Sequence, residues 1–247
     1  MDFPVKKKEL KYYGYHACLK LWQTRPQDVV RVYVEQRNVK DLGPLLKWCA
    51  SKGKAYHIIS ADEMAKVSGS VHHEGLCILA KELEKLDFLE IFKELSGGDP
   101  ALILYLDGVQ NPHNLGSIMR VCAHFGVKYI VGTNLPAISP SSYRIAQGGA
   151  EWVKMISLEH LKPFFKKMEQ SGFVLVATSS HKGRSLYDYT FPPRTLLVMG
   201  SESEGVNRYV QQAAKESLLI PGTGVVESLN VSVATGLFLG EYWRQQC

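Results

Sequence analysis

The feature that most constrains this chain is a series of short, continuously apolar runs in its second half: 101–106 (ALILYL), 129–131 (YIV), 173–177 (FVLVA), 195–199 (TLLVM) and 217–220 (SLLI). A strand with one wet face alternates apolar and polar residues. These runs do not, so they read as strands buried on both faces. Helical patterns lie between and after them, at about 115–125, 142–149, 158–170, 205–214 and 230–245. Strand–helix alternation of this kind predicts an α/β fold with a parallel sheet and helices on both sides. Ligands of such sheets sit beyond the carboxyl ends of the strands.

The first 80 residues read as a separate small α/β unit. Helical spacing covers 15–22 and 42–50, the latter with Pro44 near its start, and β-branched or apolar strands are predicted at 29–34 (VVRVYV), 55–59 (AYHII) and 75–80 (GLCILA). From 81 to 95 the chain is charged, with Leu83, Leu86, Phe88, Leu89, Phe92 and Leu95 at amphipathic spacing, and a helix or helical linker is expected there. The run Ser96-Gly97-Gly98-Asp99-Pro100 ends it, because glycine and proline continue a helix only at a cost. The expected division is therefore a first domain at 1–80, a linker at 81–99 and a second domain at 100–247.

Several function classes are disfavoured. No run of 18 or more apolar residues exists, so no transmembrane helix is expected. The first 14 residues carry charge without an apolar core, unlike a secretory signal, and the protein is expected to stay in the cytoplasm. Cys18, Cys49, Cys77, Cys122 and Cys247 are odd in number and form no CxxC, which argues against zinc and against a disulfide framework. They read as reduced, mostly buried thiols. A net charge of +5 permits nucleic-acid binding without requiring it. The basic run Lys6, Lys7, Lys8 and Lys11, interleaved with Tyr12, Tyr13 and Tyr15, fits phosphate contacts and base stacking. It fits a solvated arm equally well.

Three segments just past strand ends carry the candidate chemistry. The first runs from Asn111 through Pro112, His113, Asn114 and Leu115 to Arg120. The second is Gly200-Ser201-Glu202-Ser203-Glu204-Gly205. The third is Ile220-Pro221-Gly222-Thr223-Gly224-Val225-Val226-Glu227-Ser228-Leu229-Asn230-Val231-Ser232-Val233-Ala234, which opens the last helix. Together they resemble the three signature motifs of the SpoU (TrmH-type) family of RNA 2′-O-ribose methyltransferases. Asn114 and Arg120 match its Asn–x–x–x–x–x–Arg pattern, Gly200, Glu202 and Gly205 its Gly–x–Glu–x–x–Gly, and 220–234 its third motif in full. Tyr13-Gly14-Tyr15-His16-Ala17 and His72-His73-Glu74-Gly75 resemble the opening and closing of that family's substrate-binding domain, with Glu74 where the family has glutamine.

The resemblance implies a deep trefoil knot in the C-terminal domain, a first domain like ribosomal protein L30e, a homodimer, and an rRNA or tRNA substrate. It implies S-adenosyl-L-methionine as cofactor, held by position at Gly200, Ile220 and Leu229 with Thr178 joining them, and no metal. It assigns chemistry at the nucleotide to Asn114, Arg120, Glu202, Ser228 and Asn230. The family treats the matching arginine as a base. A guanidinium with no acceptor while charged suits a phosphate clamp and alkoxide stabiliser better. Asn114 fits a helix cap or a ribose contact, and Glu202 fits a partner for Arg120 or Asn230 or a capping carboxylate. Ser228 and Asn230 fit N-caps or nucleotide ligands. His72, His73 and His113 lack neighbours at metal spacing, and Glu151 and Trp152 read as structural. The competing readings are a non-catalytic RNA-binding member of the family and a base methyltransferase on the same fold. A phosphate-loop or dinucleotide enzyme lacks its motif here.

Overall fold

The computed structural model describes residues 8–84, 86–95, 97–202 and 204–246. Lys6, Lys7, Ser96, Ser203 and Cys247 lie outside the described residues. Two compact units are present, one formed by Met1–Glu84 with Ile138–Glu151, the other by Lys85–Ala137 with Trp152–Cys247.

The first unit begins with β1 (Glu9–Tyr13), α1 (Tyr15–Thr24), β2 (Val29–Glu35), α2 (Gly43–Ser51), β3 (Ala55–Ile59), α3 (Ala61–Ser68) and β4 (Leu76–Lys81). Its sheet runs β1-β4-β2-β3, with β4 antiparallel to both neighbours and β3 parallel to β2. The segment read as a possible solvated arm contains β1, which pairs with β4, and Tyr12 and Tyr13 are buried, against Tyr143 and Met64 respectively. Neither ring is therefore open to a base. The expectation also lacked α3, although Ser60 and Glu63 form a capping box, with Glu63 Oε2 accepting from Ser60 N at 2.9 Å.

The expected helix at 81–95 shortens to α4 (Leu89–Glu94). Lys81 stays in the sheet, and Glu82 N donates to Lys8 O at 2.8 Å, so the ladder carries the chain onward as strand. The turn starts only where Asp87 Oδ1 accepts from Leu89 N at 2.8 Å.

Then come β5 (Ala101–Asp107), α5 (Pro112–His124) and β6 (Tyr129–Gly132), after which α6 (Pro140–Ala146) and α7 (Gly149–Trp152) form. Residues 138–151 group with the first unit rather than with the strands that flank them. The Tyr143 ring lies 4.4 Å from that of Tyr12, and Glu151 receives Arg25 Nε at 2.9 Å. The chain continues through β7 (Lys154–Ser157), α8 (Leu161–Gln170), β8 (Val174–Thr178), β9 (Arg184–Ser185), β10 (Arg194–Gly200), α9 (Arg208–Ala213), β11 (Glu216–Leu219) and α10 (Val231–Gln246).

The second unit's sheet has the order β7-β6-β5-β10-β8-β11-β9, and every pairing is parallel. β5, β6 and β10 are buried on both faces as expected, all of Thr195 to Met199 among them, while β8 and β11 keep half-buried residues. Ile103, Tyr105, Val131, Phe164, Ala177 and Val198 share one core cluster. Parallel pairing puts the ends of β5, β10, β8 and β11 side by side at one sheet edge. Cys18, Cys49, Cys77 and Cys122 are free and buried, and burial pushes the Cys49 thiol to about 11 and Cys77 to about 12.

Candidate active site

The site grows from three strand ends. After β5, Asp107 and Gly108 turn the chain toward α5. Pro112 occupies the first helical position, where its missing N–H costs nothing. The N-cap is therefore Asn111, whose Oδ1 accepts from His113 N at 2.8 Å. The capping role considered for Asn114 falls to Asn111 instead. That leaves Asn114, buried in the first turn, to face other loops.

After β10, the chain folds back at once. Ser201 N donates to Gly205 O at 3.2 Å and Gly205 N to Ser201 O at 3.0 Å. A Cβ on Gly200 would stand 2.2 Å from the Gly205 carbonyl carbon, so only glycine permits this closure. Gly205 supplies a φ of 69°. The returning strand is then tied down, because Asp107 Oδ2 accepts from Asn207 N at 2.6 Å. Burial pushes the Asp107 carboxyl above its ordinary value, with the Asn207 N–H opposing.

The hairpin carries Glu202 to the start of α10. Glu202 Oε1 accepts from Asn230 Nδ2 at 2.7 Å, from Asn114 Nδ2 at 3.2 Å and from Val231 N at 3.5 Å. Asn230 Nδ2 also reaches Asn114 Oδ1 at 3.0 Å, while Asn230 Oδ1 caps α10 through Ser232 N at 2.9 Å. One residue from each sequence motif thus meets in a single hydrogen-bonded cluster. Of the partners considered for Glu202, it takes Asn230 and the helix start, and not Arg120.

Arg120 is exposed on α5, and its side chain makes no hydrogen bond or ion pair among the described residues. Ser228 is exposed and likewise outside the cluster. The cofactor candidates share the sheet edge. Thr178 ends β8, buried and paired with Leu218 of β11, its hydroxyl donating to Val198 O at 2.9 Å. Gly200 ends β10 and Ile220, half-buried, follows β11. Leu229 is 43% exposed, beside Val225 at 87% and Val226 at 68% in a run, 221–230, that is exposed throughout. The His113 side chain makes no hydrogen bond or ion pair among the described residues, which contain no group of three His, Cys, Asp or Glu that could hold a metal ion.

A model of the SpoU rRNA methylase family matches residues 101–240, and one for RNA 2′-O ribose methyltransferase substrate binding matches 12–86. The chain belongs to the SpoU family. An uncharacterized tRNA/rRNA methyltransferase, YfiF, of Escherichia coli O157:H7 is 38% identical over 238 residues, 96% of this chain and 68% of that protein. A 23S rRNA (guanosine-2′-O-)-methyltransferase, RlmB, of Coxiella burnetii is 32% identical over 95% of each chain. The SpoU methyltransferase AviRb of Streptomyces viridochromogenes, solved with AdoMet, superposes with a TM-score of 0.78 at 20% identity, covering 96% of this chain and 90% of that one. That likeness establishes the shared fold.

In the first unit, the SpoU-like opening and closing segments meet. Gly14 N donates to His73 O at 3.2 Å, and Tyr15 N to Glu74 Oε2 at 2.9 Å. Glu74, the departure from the family's glutamine, also pairs with Arg144 at 3.5 Å. Its carboxylate thus serves the start of α1 and binds a cation at once. Asp107 and Asn207 have no signal in the sequence beyond being polar residues beside the motif strands and helices, and Ser232, inside the third motif, is given no role of its own there.

Proposed function

We propose that this chain methylates a ribose 2′-hydroxyl of rRNA or tRNA in the cytoplasm, using S-adenosyl-L-methionine. The observation that carries this reading is the Asn114–Glu202–Asn230 cluster, assembled from all three SpoU motifs at the edge where β10, β8 and β11 end. Gly200, Ile220 and Leu229, joined by Thr178, would hold the cofactor. The exposed Val225, Val226 and Leu229 give an apolar cover suited to a flat base. When bound, the cofactor supplies a methyl group on a sulfonium, an electrophile that needs no metal.

The protein must then place the 2′-oxygen in line with that carbon and ease loss of its proton. Alignment is the task of the cluster. Glu202 and Asn230 fix each other and the Asn114 amide, so the loops are set before RNA arrives. The open fork of Arg120 suits the nucleotide's phosphate and the negative charge that grows on the 2′-oxygen. Arg120 follows Asn114 by six positions, about 9 Å along the helix and a third of a turn around it. We take this separation as support for Arg120 serving the site of a second copy. Val233 and Leu237, 53% and 38% exposed one turn apart on α10, give that dimer an apolar stripe. The late insertion of β10 between β5 and β8 supports the trefoil knot. The four-stranded mixed sheet supports an L30e-like first domain.

The test is transfer of radiolabelled methyl from S-adenosyl-L-methionine to RNA from cells lacking this protein. Alkaline hydrolysis then maps the label, since a methylated 2′-oxygen cannot attack the adjacent phosphate. Label in cleavage-resistant dinucleotides that disappears with Arg120→Ala is expected. Label in cleavable nucleotides would instead mean base methylation, and no label would reject the reading.

A further inference from the structure

The first unit carries a second arrangement suited to RNA, on its own four-stranded sheet. Residues two apart on a strand share a face. The register therefore lays two rows across one face of the four-stranded sheet. Lys11, Leu79, Arg31 and Ala55 form one row, and Tyr13, Cys77, Tyr33 and His57 the next. Helix α3 covers the second row, where Met64 packs with Tyr13 and Cys77 and half-buried Tyr33 lies against them. It leaves the remainder bare: Lys11, Arg31, Ala55 and His57 are exposed and Leu79 is half-buried.

Two features of that bare area point to an occupant. Its cations are Lys11 and Arg31, joined one row further by Lys81, which stands opposite Glu9. Its aromatic element is a stack, the Tyr33 and His57 rings lying 5.4 Å apart and 19° from parallel, with Arg31 Nη1 3.5 Å from the Tyr33 hydroxyl. Because β3 is the edge strand, the face of His57 turned away from Tyr33 is open to solvent. Small Ala55 and half-buried Leu79 keep the floor between cations and rings low.

We propose that a single-stranded RNA segment crosses this face, with one base continuing the Tyr33–His57 stack and phosphates meeting Arg31 and Lys11. Positive grooves with aromatic platforms are how proteins hold single strands, and a duplex would hide the base faces that the stack requires. The inference rests on the RNA reading above and names where the substrate, beyond the methylated nucleotide, is gripped.

The experiment uses the full chain and a fluorescent single-stranded RNA of about 12 nucleotides, within the span that one such surface covers, alongside a duplex of equal length. His57→Ala should weaken single-strand binding by roughly 5- to 150-fold, the range for loss of one base stack. His57→Phe should keep the affinity. The double variant Lys11→Ala/Arg31→Ala should lower the slope of log affinity against log salt by about 1.4, or about 0.7 per phosphate contact. Cofactor binding in all three variants should match the parent, as a check on folding. Unchanged single-strand affinity in His57→Ala and in the double variant overturns the proposal. So does an equal loss on the duplex, or a His57→Phe as weak as His57→Ala. A parent protein that binds RNA through this face yet transfers no methyl would reject the proposed function alone. A parent that methylates RNA while the variants bind normally would reject this inference alone.

Discussion

Two arginines, Arg25 and Arg120, stand in opposite surroundings. Arg25 is buried, its side chain 7% exposed, and its Nε meets both oxygens of Glu151 at 2.9 and 3.0 Å. Its other nitrogens reach Asp28 at 3.5 Å and the Tyr143 hydroxyl at 3.4 Å. Burial pushes the Glu151 carboxyl up, and the Arg25 charge opposes that shift. Arg120 is the opposite case, exposed on α5 with no polar partner among the described residues. A guanidinium whose donors are all engaged locks two segments together. One whose planar fork is open is available to a phosphate. The same side chain thus does different work according to what surrounds it.

The sharpest way to break this contrast is to remove each charge in turn. Arg25→Ala leaves Glu151 buried without its cation, and should cost about 3–5 kcal/mol. For a chain of this size that lowers Tm by on the order of 10 °C in calorimetry, while methyl transfer per folded molecule persists. Arg120→Ala should do the reverse, an unchanged Tm and a loss of roughly 10²–10³-fold in methyl transfer, as for other lost charge stabilisers. Full activity in Arg120→Lys would sink the clamp, because an ammonium cannot present two parallel donors.

Asn230 sharpens the comparison by standing on both sides of it. It caps α10 and completes the site cluster, so Asn230→Ala should show both signatures: about 1 kcal/mol of stability in denaturant titration, and a fall in methyl transfer. A stability loss alone would assign it to structure. The smallest effect concerns a third arginine, Arg244, which is exposed but engaged. Its guanidinium, and then Gln245, hold the Glu241 carboxyl down to about 2. The folded value lies below the ordinary one of 4.5. This contribution is therefore fully present above about pH 4.5 and is lost as pH falls toward 2. In Glu241→Gln, acid unfolding between those values should be slightly less steep than in the parent.

Much of this was legible in the chain. The apolar runs gave the parallel strands because a doubly buried strand leaves a pattern that needs no partner to be read. β1 was harder to read, since Glu9-Leu10-Lys11 looks solvated until β4 pairs with it. β7 and β9 escaped because they are short and sit at the two sheet edges. In the site, spacing placed Glu202 and Asn230 in one cluster through the motif resemblance. The cap, one of the two roles considered for Asn114, lies three positions before that residue, because Pro112 sets where α5 begins and Asn111 stands just before it. That Arg120 stands apart from Glu202 is a matter of tertiary direction, which no spacing reports. The association of 138–151 with the first unit is likewise invisible locally, since Tyr143 and Glu151 find their partners more than a hundred residues upstream.

That association bears on how such a chain can be cut or recombined. A fragment ending near residue 84 would carry Arg25 without Glu151 and bare the Tyr12 ring on which Tyr143 rests. A graft that swaps only the first 84 residues between relatives would import one half of a charge pair and leave the other behind. The exchangeable piece is discontinuous, and compatibility between parents comes down to whether residues 138–151 travel with it.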